Sequence, residues 1–229
     1  VKDQKIVFSS GASVVFSHYE NDNAADMYQG LQLSAFMYDE ATHAEEHHIW
    51  WLWSRLRSEA SNVPSMWLTC NPDPDSWLFK YAEWYLYPEG TIIDGEDVSG
   101  RPDPAKNGKI RYLLRREGSL IWGDTYEELY DKFKNPDLPD DHEDQVKILT
   151  FQGLFGTVDD NPPLKKAVPT YKSDLEALPR VQKERLLHGN WFAREESSGY
   201  WKRQWVEELN QRPHDSEFVR IVRAWDIAG

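Results

Sequence analysis

Cysteine is almost absent: Cys70 is the only one in 229 residues. A lone thiol excludes a disulfide framework and predicts a reducing, intracellular setting. Long apolar runs are missing too. None approaches the roughly 20 residues of a membrane-spanning helix, no signal-peptide pattern opens the chain, and no membrane partner is expected. The chain begins at Val1, not Met, as a fragment or a processed chain would. Basic residues are scarce in positions 1–100, which hold 5 Lys+Arg against 16 Asp+Glu, whereas positions 101–229 hold 21 against 23. With a net charge of −13, general coating of DNA is excluded, and any polyanion contact is expected to be local and in the second half. Finally, no G-x-x-x-x-G-K-[ST] run occurs, so no loop of that kind is available to cradle nucleotide phosphates.

What is present is a 40% hydrophobic chain with 11 Trp, enough for one sizeable core plus an appended piece. The stretch Leu31 to His43 organises it. Leu31, Leu33, Ala35, Phe36, Met37 and Tyr38 predict a strand buried on both faces, as in a parallel sheet. Asp39 and Glu40 then fall at the strand's C-terminal end, where open α/β sheets place ligands. In a nucleotide hydrolase that Asp would hold Mg²⁺ and the Glu would activate the attacking water. A solvated acidic turn is the plainer reading of the same two residues.

Around this stretch the pattern predicts a hairpin from two β-rich runs about Ser9-Ser10-Gly11 and a loop over Asn21 to Asp26. A helix is expected from about His43 to Ser58, with Ile49, Leu52, Trp53 and Leu56 at helical spacing. Met66 to Cys70 reads as a second short buried strand ending in Asn71-Pro72-Asp73-Pro74. There Thr69 and Asn71 either form a turn and cap or sense a terminal phosphate. Leu78 to Tyr87 reads as helical and Gly90 to Gly108 as a loop. Ile110 to Leu114 and Leu120 to Trp122 read as strands about Glu117-Gly118, followed by a helix from a Thr125 cap to Phe133. Lys147 to Phe155 is β-like and stops at Asp159-Asp160-Asn161-Pro162-Pro163. Tyr171 to Leu187 reads as helix interrupted at Pro179 and capped by Gly189. Arg194 to Gly199 is a candidate hinge, and Phe218 to Asp226 is a strand ending in an acid.

Two chemistries compete for the first half. His43-Ala44-Glu45-Glu46-His47 matches H-x-x-E-H, in which His43 and His47 on one helix would bind Zn²⁺ with Glu46 as base of a hydrolase. A polar, acidic helix start with histidines is the plainer reading, and no distinctive third-ligand motif follows. The other chemistry is nucleotide hydrolysis at Asp39 and Glu40.

The combined pattern resembles the large terminase subunit of tailed bacteriophages and related prophages, the ATP-driven motor that packages DNA into capsids. The matching pieces are Gln29-Gly30, Tyr38-Asp39-Glu40-Ala41-Thr42, Ser54-Arg55-Leu56-Arg57-Ser58 and Leu68-Thr69-Cys70-Asn71-Pro72. They continue with Asp160-Asn161-Pro162, Pro169-Thr170-Tyr171, Leu186-Leu187-His188-Gly189-Asn190-Trp191 and Ala224-Trp225-Asp226. Together they cover essentially the whole chain.

The resemblance implies an α/β fold: a RecA-like P-loop ATPase parallel sheet lacking its phosphate-binding loop, a helical linker, and the first strand of an RNase H-like nuclease. Residues 1–193 would be the later part of the ATPase domain with its lid or linker subdomain, 194–216 a hinge, and 217–229 the start of the nuclease. Asp39 would match the Walker B acid that positions Mg²⁺ of Mg-ATP through water, and Glu40 the catalytic carboxylate. Thr69 and Asn71 would match the motif coupling ATP hydrolysis to movement. Asp226 would match the first nuclease metal ligand, for Mg²⁺ or Mn²⁺. Arg55 and Arg57 are further candidates for contact with nucleotide, DNA or a neighbouring subunit, or for plain ion pairs. Asp26-Met27-Tyr28-Gln29 offers no basic residue as an arginine finger. The implied partners are double-stranded DNA, the portal protein, the small terminase subunit and further copies in a homo-oligomeric ring. The implied location is the host cytoplasm, transiently at the procapsid portal vertex. This stretch alone, without the phosphate loop and the remaining nuclease acids, is expected to turn over ATP poorly and not to cleave DNA. A non-catalytic remnant of such a protein is the third reading.

Overall fold

The computed structural model describes residues 4–17, 30, 32–57, 63–142 and 144–195. The chain divides into two units, Val1–Arg194 and Glu195–Gly229. The described residues belong to the first unit except Glu195, so the strand expected at Phe218 to Asp226, with Asp226 itself, lies outside them, as do the loop at Asn21 to Asp26 and most of the hinge.

The first two strands, β1 (Gln4–Val7) and β2 (Ser13–Phe16), form the expected antiparallel hairpin. Gly11 supplies the left-handed turn residue at φ 87°, a conformation open to glycine at no steric cost. Next, β3 (Ala35–Tyr38) pairs in parallel with β4 (Ser65–Leu68), Ala35 opposite Ser65 and Tyr38 opposite Leu68. The expected two-sided burial of β3 is not met. Phe36 and Tyr38 are half-buried, while Ala35 and Met37 face outward, Met37 being 75% exposed. On the inner face Tyr38 and Leu68 pack against the cluster of Ala41, Leu78, Tyr81, Ala82, Leu86 and Trp191. On the outer face Met37 lies opposite the exposed Trp67.

The helix expected over His43 to Ser58 is split and shorter. A 3₁₀ turn spans Ala41–His43, Ala44 and Glu45 are extended, and α1 runs Glu46–Trp53. Its early end has a backbone cause. Leu33 N–H donates to Arg55 O at 3.0 Å and Arg57 N–H donates to Leu33 O at 2.9 Å, a parallel bridge centred on Leu56. Arg55 O and Arg57 N–H are therefore given to Leu33, just before β3, instead of to another helical turn. Ser34 O accepts from Ser65 N–H. Since successive residues of a strand aim their backbone groups at opposite edges, Leu56 and β4 flank β3 on opposite sides.

A short helix α2 (Phe79–Ala82) and a 3₁₀ turn Glu83–Tyr85 follow, matching the helical reading there. The Gly90 to Gly108 loop contains one two-residue ladder, β5 (Ile92–Ile93) with β6 (Glu96–Asp97). The second sheet is antiparallel in the order β8-β7-β9, with β7 Ile110–Arg116, β8 Ser119–Gly123 and β9 Leu149–Gln152. Helix α3 (Tyr126–Phe133) begins where the sequence places it, the Thr125 side chain accepting from Glu128 N–H, a cap worth ~1 kcal/mol. Leu129 of α3 lies under Gly123, where an added Cβ would stand 2.8 Å from Leu129 Cγ. Tyr85 is fully buried and its hydroxyl donates to Lys109 O at 2.8 Å. Around it Tyr81, Trp122, Phe151 and Phe155 make tilted or edge-on ring contacts at 5.7–5.9 Å.

Three helices complete the unit. The first, α4 (Pro162–Ala167), lies where only a stop was expected; Asn161 caps it and proline occupies its first turn, a favoured helix start. The interruption at Pro179 separates α5 (Tyr171–Glu176) from α6 (Arg180–His188), and Gly189 at φ 65° ends α6 as expected. Beyond it Trp191 N–H donates to Gly100 O at 2.9 Å and the indole is buried in the cluster beneath β3 and β4.

Candidate functional site

The parallel pairing of β3 and β4 carries on past both strand ends. Thr69 N–H donates to Tyr38 O at 3.0 Å, and Ala41 N–H donates to Thr69 O at 2.8 Å. These bonds bring Asp39-Glu40 beside Thr69-Cys70-Asn71. The Thr69 hydroxyl donates to Asp39 Oδ1, and the Asn71 amide donates to Glu40 Oε1 at 3.3 Å. All four residues are exposed. Four positions picked from sequence thus stand together at the C-terminal ends of two parallel strands.

Glu40 adopts φ 54°, ψ 45°, the left-handed region, which costs a non-glycine residue ~1–2 kcal/mol. The fully buried Ala41 holds it there, fixed by its hydrogen bond to Thr69 and by packing against Tyr81 and Trp191. The turn aims two carboxylates into solvent from a rigid base, and each keeps an oxygen that these two hydrogen bonds do not use. Such hard oxygen donors suit Mg²⁺. The half-buried Cys70 lies between the two donors; burial, then the Glu40 charge, pushes its thiol up to about 11.

The segment after Asn71 is fastened on both sides, a feature that sequence reading missed. Trp77 Nε1 donates to Ala44 O at 2.8 Å, and the Ser76 hydroxyl donates to Thr42 O at 3.5 Å. From the other direction Arg185 lies 3.8 Å from Asp73, and Arg194 lies 2.7 Å from Asp75. Residues more than 110 positions apart carry no local signal of such contact.

Arg55 and Arg57 are not brought to this site. Their backbones pair with Leu33, six residues before Asp39, which along an extended chain is roughly 20 Å from the carboxylates. The Arg55 guanidinium stacks 4.5 Å from the centre of the Trp51 ring, and Arg57 is exposed. The zinc reading loses its premise. His43 lies in the 3₁₀ turn and His47 on α1, with two extended residues between, so they do not share one helical face. Glu46 is occupied by Lys80 at 2.5 Å and by Trp50 Nε1 and the Tyr81 hydroxyl, each at 3.1 Å. Burial raises its pKa, but these hydrogen bonds outweigh it and hold the carboxyl below the usual range, the reverse of what a general base needs. Among the described residues no group of three or more His, Cys, Asp or Glu could hold a metal ion, and no helix is long and apolar enough to cross a membrane.

A family model described as terminase large subunit, T4likevirus-type, N-terminal, matches residues 1–208. The chain belongs to this family. As a terminase large-subunit chain it takes its place in phage DNA packaging, with a mixed α/β fold of small sheets and helices. No curated protein and no solved structure matches it.

Proposed function

We propose that this terminase chain contributes the water-activating half of an ATPase that drives double-stranded DNA into procapsids. The observation that carries the reading is the double clasp, Thr69 on Asp39 and Asn71 on Glu40, at the ends of paired parallel strands. Asp39 would hold the Mg²⁺ of bound Mg-ATP through water, and the metal, when bound, neutralises charge on the phosphates. Glu40 orients a water for in-line attack on the γ-phosphate and accepts its proton. Thr69 and Asn71 register the change in charge at the two carboxylates, which suits them to couple turnover to movement.

On this reading the sheet is RecA-like. The edge of β3 away from β4, where among the described residues only the bridge of Leu33 to Leu56 is formed, would receive the strand that leads into the phosphate-binding loop. Residues 1–193 are then ATPase and linker, 194–216 the hinge, and 217–229 the first strand of an RNase H-like endonuclease in which Asp226 binds Mg²⁺ or Mn²⁺. The partners are the portal protein, the small terminase subunit and further copies in a ring, at the portal vertex in the host cytoplasm.

The test is ATP turnover by the intact large subunit that carries this segment. Glu40→Ala is expected to reduce turnover at least ~100-fold while nucleotide binding persists. Unchanged turnover would overturn the role of Glu40.

A further inference from the structure

Asn71 is followed by a segment whose attachments run in two directions. Toward the carboxylates, Trp77 and Ser76 donate to the carbonyls of Ala44 and Thr42, just past Glu40. Away from them, Arg185 of α6 reaches Asp73 at 3.8 Å and also donates from Nε to Ala193 O at 3.0 Å. Arg194 pairs with Asp75 at 2.7 Å and donates to the carbonyl of the buried Pro74 at 3.2 Å. Asp73 Oδ1 accepts from Asp75 N–H at 3.2 Å, so the two acids form one rigid turn. A second tie runs underneath, where Ala41 and Trp191 share one apolar cluster.

We propose that residues 73–77 form a strap joining the carboxylate site to the segment Ala193–Arg194, with Arg185 and Arg194 as the positioning residues that hold Asn71 in register with Glu40. Arg185 is the central fastener because it grips both the strap, at Asp73, and the segment that closes the first unit, at Ala193. A displacement of Asn71 at Glu40 is thereby delivered to Arg194, and a pull on Arg194 is felt at Asn71; such coupling is reciprocal. The strap takes its purpose from the ATPase reading above, but its mechanics do not require nucleotide.

Cys70 is a built-in reporter, being the sole thiol and lying between Thr69 and Asn71. The measurement is its alkylation rate by iodoacetamide at one fixed pH in the folded 229-residue chain. Arg185→Ala is expected to react ~3- to 10-fold faster, because loosening the strap raises the population of open states. The sign is diagnostic. Removing a positive charge by itself disfavours the thiolate and slows the reaction, so acceleration reports opening. Arg185→Lys, which keeps the charge, is expected to recover part of the wild-type rate, and Arg194→Ala to accelerate ~2-fold. A wild-type or slower rate in a cooperatively melting Arg185→Ala chain overturns the strap. Should Arg185→Ala fail to fold, the exposed Arg194→Ala decides by the same sign. Acceleration in these variants beside unchanged ATP turnover in Glu40→Ala would keep the strap and discard the ATPase role of Glu40; the opposite pair of results would do the reverse.

Discussion

The two main sheets of this terminase chain are built on opposite terms. The antiparallel sheet β8-β7-β9 encloses Tyr85, Leu113 and Leu129, each 3% exposed or less, and its strands β7 and β8 meet through a two-residue turn at Glu117-Gly118. The parallel pair β3–β4 is joined across 26 intervening residues, shows Met37 and Trp67 to solvent, and ends in four exposed polar side chains. One region spends its sequence on packing. Among the described residues the other leaves a face, part of an edge and its carboxylates uncovered, which suits the role proposed for them above.

The largest expected effect tests the first half of that contrast. Tyr85→Ala removes a fully buried ring and its bond to Lys109 O and is expected to cost about 3–5 kcal/mol, read from the denaturant midpoint. Met37→Ser in this chain is expected to stay within about 0.5 kcal/mol. In an intact large subunit that completes the sheet, the same substitution is expected to cost about 2 kcal/mol. Equal costs in the two settings would mean that the outer face stays open.

A smaller effect concerns the strained turn. Glu40→Gly is expected to be more stable than Glu40→Ala by about 1 kcal/mol in thermal unfolding, since only glycine adopts a φ near 54° freely. The reverse order would contradict the left-handed turn. Acid stability probes the joint between the regions. The Glu46 carboxyl is held below its ordinary pKa, so its contribution is complete above the unfolded value of 4.5 and is lost as pH falls through the lower folded one. Glu46→Gln is expected to flatten that limb of the pH–stability curve. The smallest effect is electrostatic. Burial, then Glu40, raises the Cys70 thiol, so Glu40→Gln is expected to speed alkylation of Cys70 modestly at fixed pH.

Local chemistry made much of this legible. The Thr125 cap, the Gly11 and Glu117-Gly118 turns, the break at Pro179 and the Gly189 cap each act over a few residues, and each element they bound is present. The start of α4 was legible too, in Asn161 followed by two prolines, but it read as a stop. What failed was non-local. The one-sided burial of β3 depends on what covers it, and α1 ends early because residues 55–57 pair with Leu33. At the site, the juxtaposition of Asp39-Glu40 with Thr69 and Asn71 was readable from two apolar runs ending in polar groups, whereas the clasp on Asp73 and Asp75 needed the fold. Asp226 lies outside the described residues.

The most direct test of the central claim is a double-mutant cycle on ATP turnover in the intact large subunit, using Glu40→Gln and Asn71→Ala. If the clasped pair acts as one unit, the double variant is no slower than Glu40→Gln alone. Losses that multiply, or an Asn71→Ala variant with wild-type turnover, would contradict it.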